Sequence, residues 1–336
     1  MRKNIKNKIC LILMLISILL CNSCGNQNPT DKKINIVCTA FPQYNFVKEI
    51  VGELEEKFNI VYLFDNGADV HSFKTDISFN VKIQIINSDM FIYNGGDSDS
   101  WVDNILIDSS MNDKCKKISL IDCLDKNSLL ELSDDENQHE HSNSCDDTQC
   151  AEVHNHSFDE HVWLSLSNAA EICEKIYIGI SELDSENRSV YERNYKDYSE
   201  KLLKLHDDSK LKISKFQSPF LLVADRFPFI YLFNDYNIKY DAAFLGCTSE
   251  TSASYENIIS LCSSVESKNV NSLLVLEKST SNIASSLIST VGKDLSIYTL
   301  NSLQSVSKSE IDSGLTYYSV MKSNIDTILK SLEENQ

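Results

Sequence analysis

The chain has 336 residues, 42% of them hydrophobic and 24% charged, so it is long enough for two domains and too apolar for global disorder. Nine Gly and four Pro argue against a turn-rich all-β fold. A net charge of −18 makes nucleic acid and anionic membrane surfaces poor partners and suits cations.

Arg2, Lys3, Lys6 and Lys8 precede the apolar run Ile9–Leu20, and Cys21-Asn-Ser-Cys24-Gly25 follows. Basic, then apolar, then small residues is the order of an export signal, and the run is short for a bilayer span. Its end resembles a bacterial lipoprotein processing site, with Cys21 where Leu is usual. Cleavage before Cys24 would leave a lipid-modified thiol; ordinary secretion is the alternative. Losing residues 1–23 removes four positive charges and takes the net charge from −18 to −22. Eight cysteines remain besides Cys24, and export permits their oxidation without fixing a pairing.

Residues 24–33 read as a polar tether. Ile34–Thr39 reads as a strand, Pro42–Val51 as a helix with Pro near its first turn, and Phe58–Phe64 as a second strand. The loop Asp65–Phe73 follows. Asp76–Ile86 reads as a helix, Met90–Tyr93 as a buried strand, Trp101–Ile107 as a helix and Ile118–Ile121 as a strand. Strands alternating with helices predict a mostly parallel, helix-covered sheet, so residues 34–167 form one α/β lobe. Within it, residues 131–160 hold ten acidic residues, and no Lys or Arg occurs between 127 and 174. Residues 134–157 read as an acidic, His-rich surface loop. Residues 168–216 read as a helical linker interrupted near Asp184–Asn187. Tyr191, Tyr195, Tyr198, Leu202 and Leu205 mark one apolar stripe on a stiff helix between two lobes.

Alternation resumes in residues 217–336. Leu221–Ala224, Ile238–Ala242, Ser272–Leu276 and Leu295–Thr299 read as strands. Pro228–Tyr236, Thr251–Val265, Asn282–Val291 and Leu315–Leu332 read as helices. This is a second α/β lobe.

His71 follows the second strand, and clefts in open α/β sheets form at such strand ends. A lone His is commonly structural. His161, just before the long helical region, supplies a second imidazole near the junction of the lobes, and such a pair suits zinc. His139 and His141, and His154 and His156, can each take zinc more weakly, because a flexible loop loses entropy on ordering. Cys145 and Cys150 can join as thiolates or close a small disulfide. The alternative is a solvated acidic loop.

Gly67-Ala-Asp-Val-His-Ser-Phe-Lys-Thr75 and Asp159-Glu-His-Val-Trp-Leu-Ser165 resemble the two histidine boxes of metal-binding solute-binding lipoproteins of ABC transporters, the cluster A-I, zinc/manganese type. An acidic His-rich loop separates the boxes in that family's zinc branch, as here. Ser88–Gly96 with Trp101, Gly246–Ser254, Asp225–Tyr231 and Thr316–Met321 extend the resemblance from residue 34 to the end. It implies two α/β lobes joined by a rigid helix, one metal in the cleft, and His71 and His161 as the first two ligands.

The family takes a third ligand from an H/E-x-x-F-x-Y segment. Aligning Phe229-Ile-Tyr231 with it puts Arg226, a cation, at that place. Asp225 is the substitute; its other reading is pairing with Arg226 or capping the Pro228 helix. In the fourth ligand's segment, Asn301–Ser305, Gln304 is a weak carbonyl candidate. Glu277 is a further one, or else a solvated loop carboxylate. Grouping Asp225, Glu277 and His71 as a hydrolase fails for want of a Ser elbow, a paired-carboxylate motif, a phosphate loop or an H-E-x-x-H. The resemblance implies no enzyme. It implies a monomer, lipid-anchored on the extracytoplasmic face of a bacterial membrane, which captures Zn2+, with Mn2+ the alternative, and hands it to an ABC permease. A surface adhesin on the same fold is the other class.

Overall fold

The computed structural model describes residues 33–69, 77–107, 111–131, 158–245 and 255–336. The first sheet is built from Ile34–Cys38 (β1), Phe41–Val51 (α1), Phe58–Tyr62 (β2), Phe79–Ile86 (α2), Met90–Tyr93 (β3), Ser100–Leu106 (α3) and Lys116–Ser119 (β4). Its four strands are all parallel in the order β2-β1-β3-β4. Runs such as Ile36-Val-Cys38 and Met90-Phe-Ile92 are fully buried, as a sheet covered on both faces requires. Gln43 starts α1 by accepting from the N–H groups of Thr39 (2.9 Å) and Ala40 (3.1 Å). Its amide then donates to Asn94 at the end of β3, 2.7 Å away.

Leu166–Leu183 (α4) packs on this sheet. Gly179 permits the approach, since a Cβ there would lie 2.7 Å from Met90 Cε and 3.2 Å from Ile118 Cδ1. Ser165 caps α4 by accepting from Asn168 N–H at 3.2 Å. The helix ends at Asp184, whose carboxylate accepts from Tyr191 (2.7 Å) and Asn187 (2.8 Å), and after a 3-10 turn Arg188–Ile213 (α5) begins. With 26 residues, α5 is about 39 Å long. Of its predicted stripe, Tyr191, Tyr198 and Leu202 are buried, and Tyr195 stacks on Tyr177 of α4 at 5.1 Å.

The second sheet repeats the first. Phe220–Phe227 (β5), Ile230–Asp235 (α6), Lys239–Leu245 (β6), Tyr255–Ser267 (α7), Ser272–Leu276 (β7), Asn282–Val291 (α8) and Ser296–Leu300 (β8) give a parallel sheet of order β6-β5-β7-β8. Lys308–Asp312 (α9) and Tyr317–Glu334 (α10) complete the chain. One apolar core runs without a break from β1 and α4 through α5 to β5 and α10, so the lobes share a core. A smaller cluster fills the outer side of the second sheet. Among the described residues no helix is long and apolar enough to cross a membrane.

Three differences from the sequence reading have local causes. The strand expected at 118–121 is β4 at 116–119, because Ile121 already begins a 3-10 turn. The strand expected at 221–224 continues to Phe227 through a register shift between Val223 and Arg226, so Asp225 and Arg226 lie within it. A capping box between Ser307 and Glu310 starts α9, which has too few apolar residues to show in the periodicity.

Candidate metal centre

His161 is 2% exposed and Asp159 1%. Asp159 Oδ1 accepts from the His161 backbone N–H and faces the ring Nδ1, both at 2.9 Å. A carboxylate can only accept, so Nδ1 carries the ring proton. Nε2 is then the nitrogen with a lone pair for a metal. The ring packs edge-on against Trp163, centroids 5.3 Å apart.

The second lobe grips this segment at three points. Trp163 Nε1–H donates to Ser302 O (3.0 Å), Tyr317 OH to Trp163 O (2.6 Å) and Tyr231 OH to Asp159 O (2.9 Å). Glu160 turns the other way and accepts from Ser98 N–H (3.1 Å) and the Ser98 hydroxyl. Gly96 is what admits it, since a Cβ there would lie 2.3 Å from Glu160 Oε2. The imidazole therefore sits at the junction of the lobes.

His71 lies outside the described residues, as do His139, His141, His154, His156, Cys24 and the signal segment. The loop that leads to His71 is described as far as Asp69. Asp225 sits at the irregularity in β5, its Oδ1 accepting from Arg226 N–H (2.8 Å) and Oδ2 from Leu276 N–H (3.3 Å). It thereby fills a gap between β5 and β7, whose ladder pairs only Leu222 with Leu273 and Val223 with Leu274. Glu277 follows β7 and accepts from Ser302 N–H (2.9 Å) and Oγ–H (2.5 Å). Burial pushes its carboxyl above the usual range, the Ser302 bonds pull it back, and the charge of Asp69 adds to the rise. Gln304 is buried in the turn held by Glu277, and its N–H donates to Ser302 Oγ at 3.4 Å. Arg226 extends to Asp69, Nη1 to Oδ2 3.3 Å.

Ser302 ties Glu277 and Gln304 to the segment after His161, since its carbonyl accepts from Trp163, while Asp225 is spent partly on the sheet. Among the described residues no three His, Cys, Asp or Glu side chains gather in a metal-binding group. Cys38, Cys115, Cys123, Cys173 and Cys262 are free thiols, and burial raises all five pKa values, Cys123 to about 12. Sequence reasoning missed the work of Asp159 and Tyr231. Only Asp159 left a signal, an acid two residues before a candidate ligand.

The family profile described as "ZnuA: Zinc-uptake complex component A periplasmic" matches residues 36–331. The zinc-binding lipoprotein AdcA of Streptococcus pneumoniae strain R6 is 28% identical over 330 residues, which take in 97% of this chain and 61% of that protein. The chain therefore spans about three fifths of that relative's length. The high-affinity zinc uptake system protein ZnuA of Bacillus subtilis is 27% identical over 331 residues, 96% of this chain and 97% of that protein. Among solved structures, the metal-dependent lipoprotein YcdH of B. subtilis superposes with a TM-score of 0.70 at 25% identity, covering 89% of this chain and 99% of that one. The Zn(II)-bound ZnuA-like domain of S. pneumoniae AdcA gives 0.68 at 24% identity, over 90% and 99%, and bears on the fold alone. The paired parallel sheets, the long helix between them and the profile match over most of the chain lead to one conclusion: this chain belongs to the ZnuA family.

Proposed function

We propose that this protein captures Zn2+ in the cleft between its lobes and delivers it to an ABC permease, held at the extracytoplasmic face of the membrane by a lipid on Cys24. The observation that carries this reading is the His161–Asp159 pair. A buried imidazole whose tautomer is fixed by a carboxylate is a zinc ligand with its support already in place. His71 supplies the second imidazole, two residues past Asp69. Oxygen from Asp225 or Glu277, with the Gln304 carbonyl behind them, completes the site from the second lobe. Each carboxylate oxygen has two lone pairs, so one hydrogen bond apiece leaves room for a metal. The acidic loop with His139, His141, His154 and His156 acts as a weaker collector that feeds the cleft. An oxygen-rich second lobe also favours Mn2+ more than a three-imidazole site would, and that is the second reading.

Native mass spectrometry of the mature chain titrated with Zn2+ and Mn2+ tests this. One tight zinc per chain is expected, lost in the His71→Ala, His161→Ala double variant and retained when residues 137–156 are deleted. Undiminished tight zinc in the double variant would refute the site.

A further inference from the structure

The loop that leads to His71 is fastened to the second lobe by protein groups on residues 65–69. Asn66 pairs with Ser307 in an isolated antiparallel bridge, and Lys308 N–H donates to Asp65 O. Two cations then reach across. Lys278, just past β7, donates from Nζ to Gly67 O at 2.9 Å and also to Ser305 O. Arg226, within β5, donates to Asp69 Oδ2 at 3.3 Å. Gly67 makes the fit, since at φ +76° a Cβ would lie 3.0 Å from Ser307 Cβ and 3.2 Å from Lys278 Nζ. Lys278 itself is held at φ +57°, a conformation that an L-residue keeps only when its surroundings demand it.

A fixed positive charge beside a site for a divalent cation is costly unless something else needs it. Here both cations are engaged, one on a carboxylate and one on two carbonyl oxygens, and both engagements end on residues 65–69 or the turn facing them. We infer that Arg226 and Lys278 are positioning residues, a clasp that docks residues 65–69, the approach to His71, on the second lobe before any metal arrives. The role assigned to the loop rests on the zinc reading above; the clasp itself does not. With residues 65–69 already docked, metal capture is spared the part of the ordering entropy that falls on them.

The test is hydrogen exchange on the full mature chain in chelator, followed by mass spectrometry of peptides covering residues 64–69. Arg226 and Asp69 are 30% and 23% exposed, the range in which such pairs contribute modestly. Arg226→Ala should speed exchange about threefold, and Arg226→Ala with Lys278→Met about tenfold or more. Arg226→Lys should recover part of the protection, and Asp69→Arg combined with Arg226→Asp most of it. In about 1 M NaCl the gap between wild type and Arg226→Ala should close, because the screening length falls to about 3 Å. Unchanged exchange in the double variant overturns the clasp. So does faster exchange that neither salt nor the charge swap affects, since that would be general loosening. Saturating Zn2+ should restore protection in every variant. If exchange stays fast with zinc bound, His71 is not a ligand and the clasp still stands.

Discussion

Replacing Asp159 with Asn changes one atom and tests what orients the His161 imidazole. In the wild type, Oδ1 accepts from both His161 N–H and the ring Nδ1 at 2.9 Å, while Oδ2 is buried and has no hydrogen-bond partner among the described residues. Asn can be placed in two ways. With its oxygen at Oδ1 it keeps the tautomer, but it buries an NH2 group where no acceptor stands and loses the charge that makes the imidazole basic. With the amide reversed it donates to Nδ1, which moves the ring proton to Nε2 and blocks metal there. The first placement costs about 1–3 kcal/mol for an unpaired buried donor. Loss of such a supporting carboxylate lowers metal affinity about 10- to 100-fold, or about 1.4–2.7 kcal/mol. Chelator competition near neutral pH measures the affinity, and thermal unfolding without metal controls for folding. A folded Asp159→Asn variant with zinc affinity within about threefold of wild type would refute the argument.

Gly96→Ala drives a Cβ into Glu160, one residue before His161, and should lower the unfolding free energy by about 1–3 kcal/mol in urea titration. Tyr317→Phe removes the donor to Trp163 O and should cost about 1–2 kcal/mol in the same assay, since that carbonyl is buried between the lobes. Glu334 accepts from Ser296 Oγ (2.6 Å) and Tyr298 OH (2.7 Å), and these two bonds hold its carboxyl below the ordinary range. A depressed carboxylate stabilises the fold above its unfolded-state pKa and loses that contribution as pH falls through the folded value. The gap between wild type and Glu334→Gln, a few tenths of a kcal/mol after screening, should therefore be full near pH 6 and shrink on acidification below about pH 4.5.

The two-lobe α/β architecture was legible because its signal is distributed. Buried parallel strands show as apolar runs such as Ile34–Cys38 and Ser272–Leu276, and the tyrosine stripe of α5 repeats at helical spacing. The helix break at Asp184 was legible too, since no apolar period crosses it. What the sequence concealed depends on pairing across long separations. Trp163 meets Ser302 139 positions away, and Arg226 meets Asp69 157 positions away; no local pattern encodes either. The reach of β5 past Ala224 was hidden for another reason. Asp225 and Arg226 read as a polar strand end, yet the carboxylate substitutes for a missing ladder bond and lets the strand continue.

The last helix has a consequence in time as well as in space. Tyr317 N–H donates to Asn45 Oδ1 at 2.8 Å, and its hydroxyl closes on Trp163, while Ser331 and Glu334 hold Ser272 and Ser296 in the second sheet. Each sheet is contiguous in sequence and can assemble as its own strands emerge. Their shared core cannot, because α10 is made after everything it joins. Some 154 residues separate Trp163 from Tyr317, so at synthesis rates of about 5–20 residues per second the His161 segment waits about 8–30 s for its roof. During that wait the apolar surface that α10 covers stays open, the state most exposed to proteases. The junction of the two lobes therefore closes only once α10 has been made, however early either sheet forms.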